Sequence, residues 1–332
     1  MITTKHDQGF TIVELLIVVV VISILAAITV VAYNGISKQA KLASRDATIS
    51  QWKQKSEVYK VENGIECPAN YAFVYANPVF NTPDFCVMQY EAKNVSGVAQ
   101  SQAAGLPWTL ISQAAARSVA TVACDGCHLI TENEWMAIVA NVLSVKYNWS
   151  GTEFGSGYVY GGHNDNSPSG AVAASTDDKD GYFNTNNSES SGENQKRTYY
   201  LTSGDTIWDI SGNVSEWTDA VTTGAQPGYN TDNANPEIYS WHFWNSSQRN
   251  WNTLPYISRA STLDNVEGIL VSNLSSAQGL GRFQSNQNQT DTRAFRRGGY
   301  WNNGSFDAGL LSLSLNQSST TESSFVGFRV VK

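Results

Sequence analysis

The sequence predicts an α+β chain in which one long N-terminal helix precedes a loop-rich globular domain. Three observations carry this expectation. Residues 10–37 read FTIVELLIVVVVISILAAITVVAYNGIS, a nearly unbroken apolar run. The remainder is rich in Asn, Gly, Ser and aromatic residues, and helical periodicity surfaces in only two places. All four cysteines fall in that remainder, at positions 67, 86, 124 and 127. With 332 residues, 41% of them hydrophobic, there is material for one large domain and an appendage. The divisions read as a short leader at 1–9, the helix at 10–64 and the globular part at 65–332. Only 15% of residues are charged and the net charge is −8, so solubility rests on neutral polar side chains. With no Lys/Arg block, nucleic acid is not expected as a ligand.

The helix comes first. From Leu15 to Ser37 there is no charge, which satisfies the ~20 apolar residues a bilayer core requires. A secretory signal would have an apolar core of ~7–15 residues and a small-residue cleavage site after it. This run is longer and no such site follows, so its length alone reads as a single-pass anchor. Glu14 is the anomaly, because a carboxylate in an apolar span is costly and marks function unless it snorkels from a helix end. Past the span, Leu42, Ile49, Trp52 and Tyr59 recur at helical spacing on one face, a seat for the globular part. Helix is therefore predicted to about Tyr59, with Glu62-Asn63-Gly64 as its stop.

Gly9-Phe10-Thr11-Ile12-Val13-Glu14, running into this apolar stretch, resembles the N-terminus of type IV pilins. The resemblance implies cleavage by prepilin peptidase between Gly9 and Phe10, methylation of the new N-terminal Phe10, and Glu14 as the fifth mature residue. It also implies residence in the cytoplasmic membrane before assembly and, with other pilin subunits, in a surface filament afterwards. A buried Glu14 is tolerable there if the Phe10 ammonium of a neighbouring subunit meets it. A helix from Phe10 to Tyr59 is ~75 Å long at 1.5 Å per residue, which suits a filament core. The chain lacks the mid-helix proline of many pilins, its first proline being Pro68. Asn34-Gly35 is the local weak point, since Gly costs ~1 kcal/mol in a helix.

In the globular part, helices are predicted over Ser112–Ser118 and Thr131–Val145. The second opens on a capping box, Thr131-Glu132-Asn133-Glu134, before Trp135, Met136, Ile138, Val139 and Val142. Val326 to Val331 reads as a strand, whereas Gly161 to Asn194 has no core pattern, so its loops must be held by ligation or hydrogen bonds. Four cysteines outside the membrane imply disulfides. Three connectivities are possible, of which the local pairs Cys67–Cys86 and Cys124–Cys127 are favoured. Cys124-Asp125-Gly126-Cys127-His128 also fits the haem-attachment pattern C-x-x-C-H, and four cysteines could ligate zinc. Tyr239, Trp241, Trp244 and Trp251, with His242 and Phe243, form an aromatic cluster. Such rings pack in a core, or stack on a sugar or partner surface.

Four further segments, in order, resemble the formylglycine-generating-enzyme-like (sulfatase-modifying factor) domain, a variant of the C-type-lectin-like fold. They are Phe85-Cys86-Val87-Met88-Gln89-Tyr90-Glu91-Ala92-Lys93, His128-Leu129-Ile130-Thr131 through Trp135, Asp209-Ile210-Ser211-Gly212-Asn213-Val214-Ser215-Glu216-Trp217, and Arg297-Gly298-Gly299-Tyr300-Trp301 with the closing Gly327-Phe328-Arg329. The family's copper-binding cysteines after RGGS(W/Y) are missing here, because no cysteine lies beyond Cys127. Its iron-binding histidines have no counterpart either, since His128, His163 and His242 are far apart in sequence. No catalytic residue is therefore expected, and the resemblance implies a binding module. It further implies calcium, with Asn166, Asp180 and Tyr182 at one site and Asn213 and Glu216 at another. The competing reading is that Asn213 and Glu216 only brace their turn, and that Asp177, Asp178 and Asp180 form a solvated acidic loop.

Together these readings point to a modular, minor type IV pilin-like subunit displaying a non-catalytic lectin-like domain for adhesion or recognition of an extracellular glycan or protein. The alternatives are a surface-tethered redox or hydrolytic enzyme, and a pseudopilin of a secretion or DNA-uptake machine.

Overall fold

The structure, a computed structural model, describes residues 11–151, 153–191, 194–223, 240–242, 258–270, 274, 278–285, 291–304 and 307–332. They fall into two compact units, divided between Ser50 and Gln51.

Helix α1 spans Ile12–Asn63 and passes through Asn34-Gly35 without a break. At its start Thr11 and Glu14 form a reciprocal cap. Glu14 Oε2 accepts from the Thr11 backbone N–H and hydroxyl, both at 2.8 Å, while the Glu14 N–H donates to Thr11 Oγ1 at 3.3 Å. The hydroxyls of Ser23 and Thr29 donate to the Val19 and Leu25 carbonyls at 2.7 Å, so these polar groups of the span are satisfied within the helix. The large apolar side chains from Ile12 to Ile36 are exposed. The predicted stop is a Schellman turn. Gly64 takes φ +64°, a conformation glycine adopts without penalty, and Ile65 and Gly64 donate to the Lys60 and Val61 carbonyls at 2.9 and 3.4 Å.

The second unit begins with the last turns of α1. Trp52 lies 6.3 Å from the Tyr147 ring, and Tyr59 packs on Phe73 and Tyr75 while donating to Asp84 at 2.9 Å. Ser56 is buried and donates to the Ser203 carbonyl at 2.7 Å. Of the predicted stripe, Trp52 and Tyr59 thus make contacts within this unit, and Leu42 and Ile49 belong to the first.

The chain then forms β1 (Tyr71–Val74), β2 (Phe85–Met88), β3 (Lys93–Val95), β4 (Val98–Gln100), α2 (Gln113–Thr121), β5 (His128–Leu129) and α3 (Glu132–Ser144). It continues with β6 (Thr198–Tyr200), β7 (Thr206–Trp208), β8 (Ser215–Thr222), β9 (Ser240–His242), β10 (Phe283–Ser285), β11 (Arg293–Arg297), β12 (Leu313–Ser314), β13 (Val326–Phe328) and β14 (Val330–Val331). One sheet runs β1-β2-β14-β5 and a larger one β13-β8-β11-β12-β10-β9, with β3–β4 and β6–β7 as separate hairpins. The protein is therefore α+β, a long N-terminal helix followed by a β-rich globular part.

Local signals account for the helices. Ser112 caps α2 by accepting from the Ala115 N–H, and α2 extends three residues past the predicted end. Thr131 and Glu134 complete the predicted capping box of α3, whose Trp135, Met136, Ile138, Val139, Val142 and Leu143 are fully buried. The final strand differs from expectation. It is two strands in two sheets, Val326 pairing with Ser215 and Val331 with Val87, and the intervening Arg329 is buried where the chain changes sheet. From 161 to 194 the described residues hold no strand, as their lack of a core pattern foretells. Cys67 is joined to Cys86 and Cys124 to Cys127.

Candidate assembly and recognition sites

The patternless loops are held by buried arginine–carboxylate pairs. Arg197, just before β6, grips Asp209 through two 2.7 Å bonds. It also donates to the carbonyls of Ala173 and Phe183 at 2.7 Å and of Val172 at 3.2 Å, which anchors the 172–183 loop. Arg297, ending β11, pairs with Glu132 of α3 at 2.6 Å and donates to the Leu311 and Ser258 carbonyls. Arg329 pairs with Glu216 of β8 at 2.7 and 3.1 Å and donates to the Met88 and Trp208 carbonyls at 2.7 and 2.8 Å. All six side chains are buried. Guanidinium suits this position because its planar fork satisfies a carboxylate and loop carbonyls together.

This arrangement engages Asn213 and Glu216. Both brace their turn. Asn213 Oδ1 accepts from the Val172 N–H at 2.8 Å, and its amide donates to Glu91 at 2.5 Å and to the Val172 carbonyl at 3.1 Å. Glu216 is taken by Arg329, so the oxygens expected to ligate calcium are spent within the protein. Glu91 also accepts from the Val214 N–H at 3.1 Å; burial, with the Asp209 charge adding to it, pushes its carboxyl up to about 8. Of the other expected set, Asp180 and Tyr182 meet in one cleft. Asp180 lines an open acidic cleft with Asp177, Asp178, Glu189 and Tyr182, and Asn166 is not part of its lining. The Tyr182 carbonyl accepts from the backbone and hydroxyl of Thr185 at 2.9 and 2.7 Å, while Asp178 accepts from the Asp180 and Phe183 N–H groups. Among the described residues no three His, Cys, Asp or Glu side chains converge as a metal-ligand set. Asn213 and Glu216 thus spend side-chain oxygens within the protein, whereas Asp180 and Tyr182 share a solvent-open cleft.

The haem and zinc alternatives lose their sulfurs, because all four cysteines are in disulfides. His128 Nε2 instead lies 2.8 Å from Glu134 Oε1 in the cap of α3, and this hydrogen bond lifts its pKa above the ordinary imidazole value.

Of the aromatic cluster, Tyr239, Trp244 and Trp251 lie outside the described residues, as do Gly9 and Phe10; Trp241 sits in β9 opposite Gln284 of β10. A different aromatic group does assemble. The rings of Tyr300 and Phe325 stack at 4.5 Å and 22°, Trp301 stands edge-on to Tyr300 at 6.0 Å, and the Arg296 guanidinium lies over both stacked rings. Nothing in the sequence marks Arg296, which precedes the arginine of the RGG motif.

In α1 the reciprocal cap places both hydrogen bonds to Glu14 on Oε2, and among the described residues Oε1 accepts none.

Residues 4–30 match the family described as "Prokaryotic N-terminal methylation motif". Among solved structures the chain is similar to Treponema denticola variable protein 1, at 12% identity, over 80% of this chain and 92% of that one, with TM-score 0.34. It is similar also to the Major Tropism Determinant I1 Variant, at 12% identity, over 79% of this chain and 48% of that one, with TM-score 0.30. Likeness at this level assigns neither fold nor role. What is established is N-terminal: the chain carries the methylation motif and long apolar helix of pilin- and pseudopilin-like subunits, a motif that implies processing by prepilin peptidase and assembly with other pilins.

Proposed function

We propose that this chain is a modular, minor pilin-like subunit that enters a surface filament through α1 and displays a globular domain which recognises a glycan or protein outside the cell without catalysis. One observation carries the reading: the methylation motif leads into a helix whose large apolar side chains from Ile12 to Ile36 all stand exposed, with Glu14 the single charge among them. Removing such a side chain from water is worth about 1.5–3 kcal/mol, so the helix requires an apolar surrounding along its length. The bilayer supplies it before assembly and neighbouring helices supply it afterwards. Thr11 satisfies one oxygen of Glu14 and leaves Oε1 for the amine freed on a neighbouring Phe10.

The globular part supports recognition in two ways. Its motifs resemble the formylglycine-generating-enzyme-like domain without that family's copper cysteines. Its loops are fixed by Arg197, Arg297 and Arg329, so a surface of irregular backbone is presented rigidly. The test is the N-terminus and one variant. Protein recovered from cells is expected to begin at methylated Phe10, and Glu14→Ala is expected to be cleaved normally yet be missing from sheared filaments. A chain that still begins at Met1, or a Glu14→Ala protein that assembles at the wild-type level, overturns the reading.

A further inference from the structure

Arg296 and Arg297 are neighbours on β11 with opposite circumstances. Arg297 has Glu132. Arg296 is 4% exposed, yet among the described residues no ion pair or hydrogen bond reaches its guanidinium, and Nη1 is sealed from solvent with no acceptor. Among the described residues no carboxylate acts on it and the Tyr300 phenol is the one ionisable group that does, and burial holds the arginine down to about 10. What it touches is aromatic, with its centre 6.0 Å from the Tyr300 ring and 5.3 Å from the Phe325 ring.

An arginine cannot shed its proton at neutral pH, so a buried guanidinium without an anion carries a desolvation cost that ring contacts offset only in part. Arg197, Arg297 and Arg329 show how this fold treats buried guanidinium when its purpose is structural: each receives a carboxylate and loop carbonyls. Arg296 is built for the same partner without receiving it. Beside it, the rings of Tyr300, Trp301 and Phe325 are half-buried, so part of their surface faces outward. A chain of net charge −8 repels a polyanion but tolerates one carboxylate. A hexuronic acid matches both features, because its carboxylate suits the guanidinium fork and its C–H face suits an aromatic ring.

We propose that Arg296, Tyr300 and Phe325 form a binding site for an acidic sugar, in which the guanidinium takes the sugar carboxylate and the rings take its apolar face. This deepens the recognition role proposed above and rests on it, but does not depend on filament assembly.

The test titrates the full-length protein in detergent micelles with glucuronate, glucose and N-acetylglutamate, read by saturation-transfer NMR. Glucuronate is expected to bind, with glucose and N-acetylglutamate each at least tenfold weaker. Arg296→Met is expected to lose glucuronate binding at least tenfold while raising the melting temperature, since it removes an uncompensated buried charge; a purely structural arginine would lower it. Equal binding of glucose and glucuronate, stronger binding of N-acetylglutamate, or an Arg296→Met protein that binds glucuronate as before or melts lower overturns the site. Any of those results leaves the filament reading intact, because that reading is decided by the N-terminus and by Glu14→Ala.

Discussion

Replacing Arg329 by methionine keeps most of the side chain's bulk and removes its fork of donors. Glu216, 1% exposed, is then a buried carboxylate that has lost its hydrogen-bonded counter-ion and keeps only the more distant charge of Lys93, and the Met88 and Trp208 carbonyls each lose a bond. Breaking a buried pair from one side costs about 3–5 kcal/mol, and each lost carbonyl bond adds about 1 kcal/mol. Arg329→Met should therefore cost roughly 5–7 kcal/mol, a large share of the ~5–15 kcal/mol that stabilises a typical domain. In the double variant Arg329→Met/Glu216→Leu no stranded charge remains. Its cost should fall below the sum of the single costs by ~2 kcal/mol or more. Urea unfolding followed by tryptophan fluorescence measures all of these. Run with and without a calcium chelator, the same series separates a brace from a ligand: Glu216→Gln should cost the same in both. A single-variant cost below ~1 kcal/mol, strict additivity, or a Glu216→Gln effect that vanishes on chelation would refute the reasoning.

Two further outcomes follow from local geometry. The bridges Cys67–Cys86 and Cys124–Cys127 close loops of sequence separation 19 and 3. By chain entropy, Cys→Ser at both ends should cost about 3 kcal/mol for the first and about 2 kcal/mol for the second, read as a lower unfolding midpoint; the reverse order would contradict it. His128 Nε2–H donates a proton-stabilising hydrogen bond to Glu134, so its folded pKa lies above its unfolded value. That contribution is complete below pH ~6.5 and is lost as pH rises through the folded pKa, and solvent screening keeps it under ~1 kcal/mol. His128→Gln should flatten this component between pH 5 and 8. Parallel stability curves for the two proteins would remove it.

What could be read without a structure was short-range. The capping box at Thr131, the turn at Gly64 and the two disulfides each join residues at most 19 apart. The residue types that favour them stand side by side in the chain. What the sequence left open involves longer reach. Val326 to Val331 carries a good strand pattern, but β-propensity does not say which sheet accepts each half. Asn213 and Glu216 offer the right atoms for calcium, and the partners they meet in the fold were not legible, because Arg329 is 113 residues from Glu216 and Glu91 is 122 from Asn213.

The sequence by itself determined the uncharged run that must leave water, the placement of Glu14 within it, the methylation motif around it and the caps of the helices, since each is settled by neighbours one to four residues apart. Only the tertiary structure decided which carboxylate each buried arginine meets. A charge in the interior is stable or costly according to what packs within ~4 Å of it, and that company is assembled from every part of the chain. Arg297 and Arg296 stand side by side in the sequence; folding supplied a carboxylate to the first and rings to the second.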